Sequence, residues 1–226
     1  MEWNEAVPPI PCKYLIFDLD GTLIDSAPSI LSCFSKVLKE TGVSPREPLD
    51  ERLIGPPLAQ TLQNLTGIHD EAVIAAMIGL FKQYYDTEGY RDSLPYAGVA
   101  EALAELKATG YELALATNKR ILPTRLILGH LGWDVMFSSV WALDSFEPRL
   151  TDKTAMLHEI LNLSGVMPEL TVYIGDKVED GLAAQANAMH FVAARWGYGE
   201  FDGAPEHWQL LDSPSGLVSI FEPMGD

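Results

Sequence analysis

The sequence predicts an α/β fold: a parallel sheet covered by helices on both faces, three layers in all, with one small α-helical domain inserted into it. Three observations predict this. Five short runs are apolar throughout rather than alternating, helical patterns separate the later ones, and one interval between strands is far too long for a simple crossover.

The five runs are residues 14–18 (YLIFD), 111–117 (YELALAT), 139–143 (SVWAL), 171–175 (TVYIG) and 189–193 (MHFVA). Continuous apolarity over five to seven residues is the pattern of strands buried on both faces. Val99, Ala102, Leu103 and Leu106 recur at helical spacing, and Gly110 closes that segment. Met156, Leu157, Ile160 and Leu161 do the same after Asp152, a natural N-cap. Strand alternating with helix gives parallel pairing.

Residues 19–110 form the anomalous interval of 92 positions, where a βαβ crossover needs only about 12–30. Inside it Ile30, Leu31, Phe34, Val37 and Leu38 make one helical stripe. Val73, Ala76, Met77, Leu80, Phe81 and Tyr84 make a second, after a cap at Asp70, with Gly55-Pro56-Pro57 breaking the chain between them. No strand-like run appears there. The expected division is a core of residues 1–24 and 94–226 and a helical cap of residues 25–93.

Composition narrows the function. At 47% apolar and 21% charged, with Gly and Pro at 33 of 226, the chain can bury enough surface to order its backbone. Thirty-two acidic against 15 basic residues give a net charge of -17. That argues against phosphate-led binding to nucleic acid and against an anionic membrane, both of which need clustered Lys and Arg. Cys12 and Cys33 are too few for a disulfide framework or zinc site, and read as reduced small hydrophobes. The opening MEWNEAVPPIPCK has neither a basic nor an apolar leader region, and no run approaches a membrane span, so a cytoplasmic protein is expected.

The densest chemical signal is Asp18-Leu19-Asp20-Gly21-Thr22 at the end of the first strand. Open parallel sheets bind ligands beyond the carboxyl ends of their strands. A chance match to four specified positions is on the order of one in a thousand. Thr117-Asn118 ends the second strand, Lys153 opens a helix, and Gly175-Asp176-Lys177-Val178-Glu179-Asp180 ends the fourth. Asp176 and Asp180 lie four apart, so a helix starting there can turn both carboxylates toward the carboxyl edge.

Taken together and in this order, DxDGT, Thr-Asn, Lys and GDxxxD resemble the haloacid dehalogenase-like (HAD) superfamily. The resemblance is closest to its phosphoglycolate phosphatase-like group with a small helical (C1-type) cap, and includes FDLDGTLIDS, TNK, GDKVEDGLAAQAN and the late WGYG. It implies a Rossmann-like core and a Mg²⁺-dependent phosphatase that hydrolyses a small phosphate monoester through an aspartyl-phosphate. In that pattern Asp18 attacks phosphorus. Asp20 protonates the leaving alkoxide and then deprotonates water, while its backbone carbonyl helps hold the metal. Gly21 and Thr22 bind phosphate, Thr117 donates to its oxygens with Asn118 in support, and Lys153 supplies fixed positive charge. Asp18 and Asp176 are expected as direct Mg²⁺ ligands. Asp180 acts through a coordinated water or by orienting Lys153. Two like charges 4 Å apart repel by about 4 kcal/mol at an effective dielectric near 20, so four carboxylates in one pocket need a cation. Oxygen-only ligands suit Mg²⁺.

The third motif departs from the family habit of Lys-Pro, because Thr154 follows Lys153. Lys119 and Lys177 are thus rival clamps. The spacing favours Lys153, 23 residues before Asp176 with one amphipathic helix between; Lys119 reads as phosphate-adjacent. In the cap, Gly55-Pro56-Pro57-Leu58 resembles a specificity loop, with Arg52, Gln60 and Arg91 as polar candidates. Arg52 and Gly55 join the substrate-binding set, although a solvated arginine and a cap-core role for Tyr84, Tyr85 and Tyr90 are the plainer readings. The partner is a small phosphorylated metabolite, and the chain a monomer or homodimer. A sugar phosphomutase of the same fold stays open, as does a phospho-accepting or non-catalytic binding member. A receiver-like module needs no inserted cap and no acid at position 20.

Overall fold

The computed structural model describes residues 10–221. The first nine residues, most of the segment read above for a leader, lie outside the described residues, as do 222–226.

Eight strands and seven α-helices follow in chain order among the described residues. They are β1 (Tyr14–Phe17), β2 (Ile24–Asp25), α1 (Ala27–Thr41), α2 (Leu58–Thr66), α3 (Glu71–Thr87), β3 (Leu94–Pro95), α4 (Val99–Ala108) and β4 (Glu112–Thr117). Then come α5 (Ile121–Leu131), β5 (Ser139–Ala142), α6 (Lys153–Ser164), β6 (Thr171–Gly175), α7 (Val178–Ala186), β7 (His190–Ala194) and β8 (Gln209–Leu211).

Six strands form one parallel sheet in the order β5-β4-β1-β6-β7-β8. The five predicted strands are all present. The sixth, β8, is a three-residue edge strand too short to leave a periodic signal. β1 lies between β4 and β6, so successive connections leave it in opposite directions and open a crevice at its carboxyl end.

Alternation along the strands sorts side chains into two cores. Leu15, Phe17, Leu113, Leu115 and Ile174 face the layer holding α4 and α5, whereas Ile16, Ala114, Ala116 and Tyr173 face the layer holding α6. Asp152 caps α6 by accepting from Ala155 N at 2.9 Å, and the predicted stripe Met156, Leu157, Ile160 and Leu161 is buried.

Between β2 and β3 the chain makes α1, α2 and α3 around a third apolar cluster that includes Phe34, Val37, Leu62, Met77 and Phe81. β2 and β3 pair antiparallel, so the chain leaves the sheet and returns to it side by side. Asp70 caps α3 through Ala72 N and Val73 N, both at 3.0 Å. The face that α3 buries differs from the expected stripe: Ile74, Met77, Phe81 and Tyr85 are inside, whereas Val73 is exposed. The segment AVIAAMIGLF is apolar nearly all round, so its periodicity cannot select a face; packing against α1 and α2 does. No helix among the described residues is long and apolar enough to cross a membrane.

Candidate active site

Three adjacent strands and one helix start converge at the sheet's carboxyl edge. Asp18 follows β1, Thr117 ends β4, Asp176 follows β6, and Lys153 opens α6. Asp18 N donates to Ile174 O at 2.9 Å, continuing the β1–β6 ladder one residue into the motif. The chain then turns sharply: Leu19 O accepts from Thr22 N, Leu23 N and Ile24 N.

Gly21 makes that turn possible. Its φ is +84°, and a Cβ built there would stand 2.1 Å from Asp176 Oδ2. Thr22 is fully buried, its hydroxyl 3.5 Å from Asp176 Oδ1.

Asp18, Asp176 and Asp180 are all buried, and each offers an oxygen within 4.8 Å of the others. Asp18 Oδ1 has no hydrogen-bond partner. The Lys153 ammonium lies 3.2 Å from it, an ionic contact without hydrogen-bond alignment, and donates to Asp180 Oδ1 at 2.5 Å. Asp180 Oδ2 accepts from Lys177 N at 3.1 Å, so both its oxygens are engaged. Asp176 Oδ2 accepts from Tyr198 N at 2.9 Å.

Burial is the main cause that pushes the Asp18 carboxyl up to about 6; Lys153 works against it, and Asp180 and Asp20 add to it. Asp176 is pushed up to about 8 by burial, with Asp18 and Asp180 repelling its charge. Burial alone would lower the Lys153 ammonium, but Asp18 and Asp180 outweigh that and hold it well above its usual value. An all-oxygen trio of buried acids, one with an oxygen that accepts no hydrogen bond, is a donor set suited to a hard divalent cation.

The remaining expected residues divide. Thr117 is buried at the edge, its hydroxyl accepting from Lys119 N at 3.2 Å, and Asn118 is exposed beside it. Asp20 is partly exposed, and both its oxygens accept from Lys119 Nζ, at 2.8 and 3.1 Å. The three lysines therefore occupy three distinct places. Lys153 sits between Asp18 and Asp180, Lys119 grips Asp20, and Lys177 lies 5.6 Å over the Tyr198 ring. Arg52 is not gathered in: its guanidinium pairs with Asp50 in its own loop and its side chain is 74% exposed. Gln60 and Arg91 are also exposed, Arg91 stacking over Tyr90. Gly55, at φ +108°, comes close to the core at the Lys177 side chain.

Two groups touch the site in ways the sequence reading did not assign. Tyr198, in the late WGYG, holds Asp176 through its backbone N–H, while its hydroxyl donates to Asp25 and accepts from Ser26 N and Ala27 N where α1 begins. Tyr85 of α3 places its ring 4.7 Å from Lys119 Nζ. WGYG carried a signal for the first; Tyr85 was expected as cap core and is buried in the α1–α3 cluster, but nothing local marked its contact with Lys119.

Residues 15–194 match the family model for haloacid dehalogenase-like hydrolases. The chain is 32% identical over 193 residues to tyrosine-protein kinase PtkA of Mycobacterium tuberculosis, covering 84% of this chain and 64% of that protein, so it spans less than two thirds of that relative's length. It is 33% identical over 209 residues to phosphoglycolate phosphatase of Xylella fastidiosa, covering 89% of this chain and 90% of that protein. Among solved structures, a predicted phosphoglycolate phosphatase from Haemophilus somnus superposes with a TM-score of 0.82 at 26% identity, over 93% of this chain and 98% of that one.

Proposed function

Because the chain belongs to the haloacid dehalogenase-like hydrolase family, we propose that it is a Mg²⁺-dependent phosphatase acting on a small phosphate monoester, with Asp18 as nucleophile. The observation that carries this reading is the Asp18 carboxylate itself. It stands at the sheet's switch point with one buried oxygen that accepts no hydrogen bond and is met only by the Lys153 ammonium at 3.2 Å, beside two further acids.

An Asp18 oxygen forms a bond to phosphorus as the ester P–O bond breaks, and Asp20 gives its proton to the departing alkoxide. Asp20 then takes a proton from water. The water oxygen bonds to phosphorus, the P–O bond to Asp18 breaks, and phosphate leaves with the carboxylate restored. Lys153 faces Asp18 throughout and balances charge on the phosphoryl oxygens without reorganising, since Asp180 pins its ammonium. Thr117 and Asn118 would line the phosphate cradle; Gly21 and Thr22, expected there from the sequence, instead build the turn beneath it, because their N–H groups go to Ile24 O and Leu19 O and the Thr22 hydroxyl faces Asp176. Asp18, Asp176 and the Asp20 carbonyl would hold Mg²⁺, with Asp180 acting through water or through Lys153. When bound, the ion neutralises the crowded carboxylates and the ester's own charge.

The same proposal assigns residues 1–24 and 94–226 to the catalytic core and residues 25–93 to a substrate-selecting cap. The likeness to phosphoglycolate phosphatases makes phosphoglycolate the first ester to try. A second reading, phosphoryl transfer from ATP to a tyrosine hydroxyl, is favoured by the likeness to PtkA. One panel tests both: phosphoglycolate, sugar phosphates, nucleotides and pyrophosphate with Mg²⁺ or EDTA, plus ATP with a tyrosine peptide. The expected result is Mg²⁺-dependent release of phosphate, with Asp18→Asn about 10³-fold slower or worse. Undiminished turnover by Asp18→Asn would remove the nucleophile assignment. Return of the phosphoryl group to the sugar phosphate without free phosphate would make the protein a mutase, and phosphotyrosine formed from ATP would favour the kinase reading.

A further inference from the structure

The sequence left Lys119 as a cation beside the phosphate, but its ammonium is engaged elsewhere. It donates to both oxygens of Asp20, at 2.8 and 3.1 Å, and its side chain is only 7% exposed. On its other side is α3, where the Tyr85 ring lies 4.7 Å from the ammonium and carries a buried hydroxyl. That hydroxyl is itself fixed, 3.1 Å from Ser93 Oγ, which is 3.2 Å from Ser29 Oγ, which donates to Ser26 O. Tyr85, Ser93 and Ser29 are all at most 2% exposed, so a buried polar line from the start of α1 anchors the ring that Lys119 packs against. The next residue repeats the crossing. Arg120 donates two hydrogen bonds to Asp86, the residue after Tyr85, at 3.0 and 2.6 Å. Two consecutive core residues thus grip two consecutive residues of α3.

A carboxyl that passes a proton must be held within hydrogen-bond reach of the leaving oxygen, and a flexible, partly exposed Asp side chain is not held by its own backbone. Lys119 reaches Asp20 with three donors on one ammonium. One donor kept on a single Asp20 oxygen is enough to orient the carboxyl and leaves the other oxygen to carry the proton, while the ammonium stays against the Tyr85 ring. Burial alone would lower the Lys119 ammonium, but Asp20 and Tyr85 outweigh it and raise it, so the charge stays at neutral pH.

We propose that Lys119 is the positioning residue for the Asp20 carboxyl, and that Tyr85 of α3 fixes Lys119, so that docking of α3 on the core sets the proton-transfer geometry. This rests on the reading of Asp20 as proton donor in a phosphatase. The test is leaving-group dependence. A nitrophenolate departs without a proton, whereas an alkoxide needs one, so a misplaced acid penalises alkyl esters selectively. The rates kcat/KM for p-nitrophenyl phosphate and for the alkyl phosphate cleaved fastest are measured for the whole protein and for Asp20→Asn, Lys119→Met and Tyr85→Phe, with thermal melts of each.

General acid catalysis contributes about 10²–10⁴-fold, so Asp20→Asn should lower the alkyl-to-aryl rate ratio by about 10²-fold or more. Lys119→Met should lower that ratio by about 10-fold, and Tyr85→Phe by about 3-fold in the same direction. Equal losses on both esters in Lys119→Met, with Asp20→Asn still discriminating, overturn the positioning role and leave the phosphatase reading intact. No discrimination in Asp20→Asn overturns the acid assignment, and the inference with it. If Lys119→Met melts below the assay temperature, Tyr85→Phe decides: an unchanged ratio refutes the proposal.

Discussion

Gly21→Ala isolates how closely the acidic cluster is packed. Gly21 has φ +84°, where a side chain costs about 1–2 kcal/mol of local strain. The added Cβ also meets Asp176 Oδ2 at 2.1 Å, Asp176 Cγ at 2.5 Å and Tyr198 Cδ2 at 2.8 Å. Neither neighbour can yield freely, since Asp176 is fully buried and tied to Tyr198 N at 2.9 Å. Overpacking of this kind costs about 1–3 kcal/mol, for a total near 3 kcal/mol and a Tm lowered by about 6–12 °C in a domain this size. Activity should suffer more, because moving a site group by about 1 Å can cost 10²-fold. Gly42→Ala is the control: its φ is +67°, yet nothing lies within 4 Å of a Cβ there. It should lose only the strain, about 2–8 °C, with turnover unchanged. Scanning calorimetry and hydrolysis of p-nitrophenyl phosphate read both. If Gly21→Ala melts with Gly42→Ala and keeps its rate within about 3-fold, the close approach of Gly21 and Asp176 is not what organises the site.

Other perturbations should separate structural from chemical roles. Lys153→Met leaves Asp18 and Asp180 buried without their cation and should cost about 3–5 kcal/mol, seen as a lower urea midpoint; an unchanged midpoint would contradict the ion-pair geometry. Arg120→Ala removes both bonds to Asp86 and should lower Tm by about 2–6 °C, with protease cutting in α3 appearing earlier. Burial pushes the Cys33 thiol up to about 11, so at pH 8 it should resist alkylation until urea is added, as mass spectrometry of labelled peptides would report. The folded state holds that proton more tightly than the unfolded chain, so the stability it brings is full below about pH 9 and declines from there to about pH 11. A flat urea midpoint across that window would count against it.

Much of the fold was legible because its signals are local. A buried parallel strand must be apolar at every position, so YLIFD, ELALAT and TVYIG mark β1, β4 and β6 without any knowledge of partners. Placing Asp18, Thr117 and Asp176 at strand ends then brings them to one edge, because parallel strands share one carboxyl side. The edge strand β8 and the buried face of α3 were not legible. One is three residues long, and the other lies on a helix that is apolar nearly all round.

The sequence by itself determined which acids meet: their order, and their position after strands, follow from backbone direction alone. Tertiary structure decided which cation serves which acid. Lys119 reaches Asp20 across 99 residues and Arg120 reaches Asp86 across 34, neither foreseen, whereas Lys153 with Asp180, 27 residues on, was one of the arrangements the family pattern had offered. A lysine carries no local mark of its partner. Its long stem can turn either way, and the choice falls to whichever carboxylate the packed strands and α3 leave nearest in a pocket shielded from water.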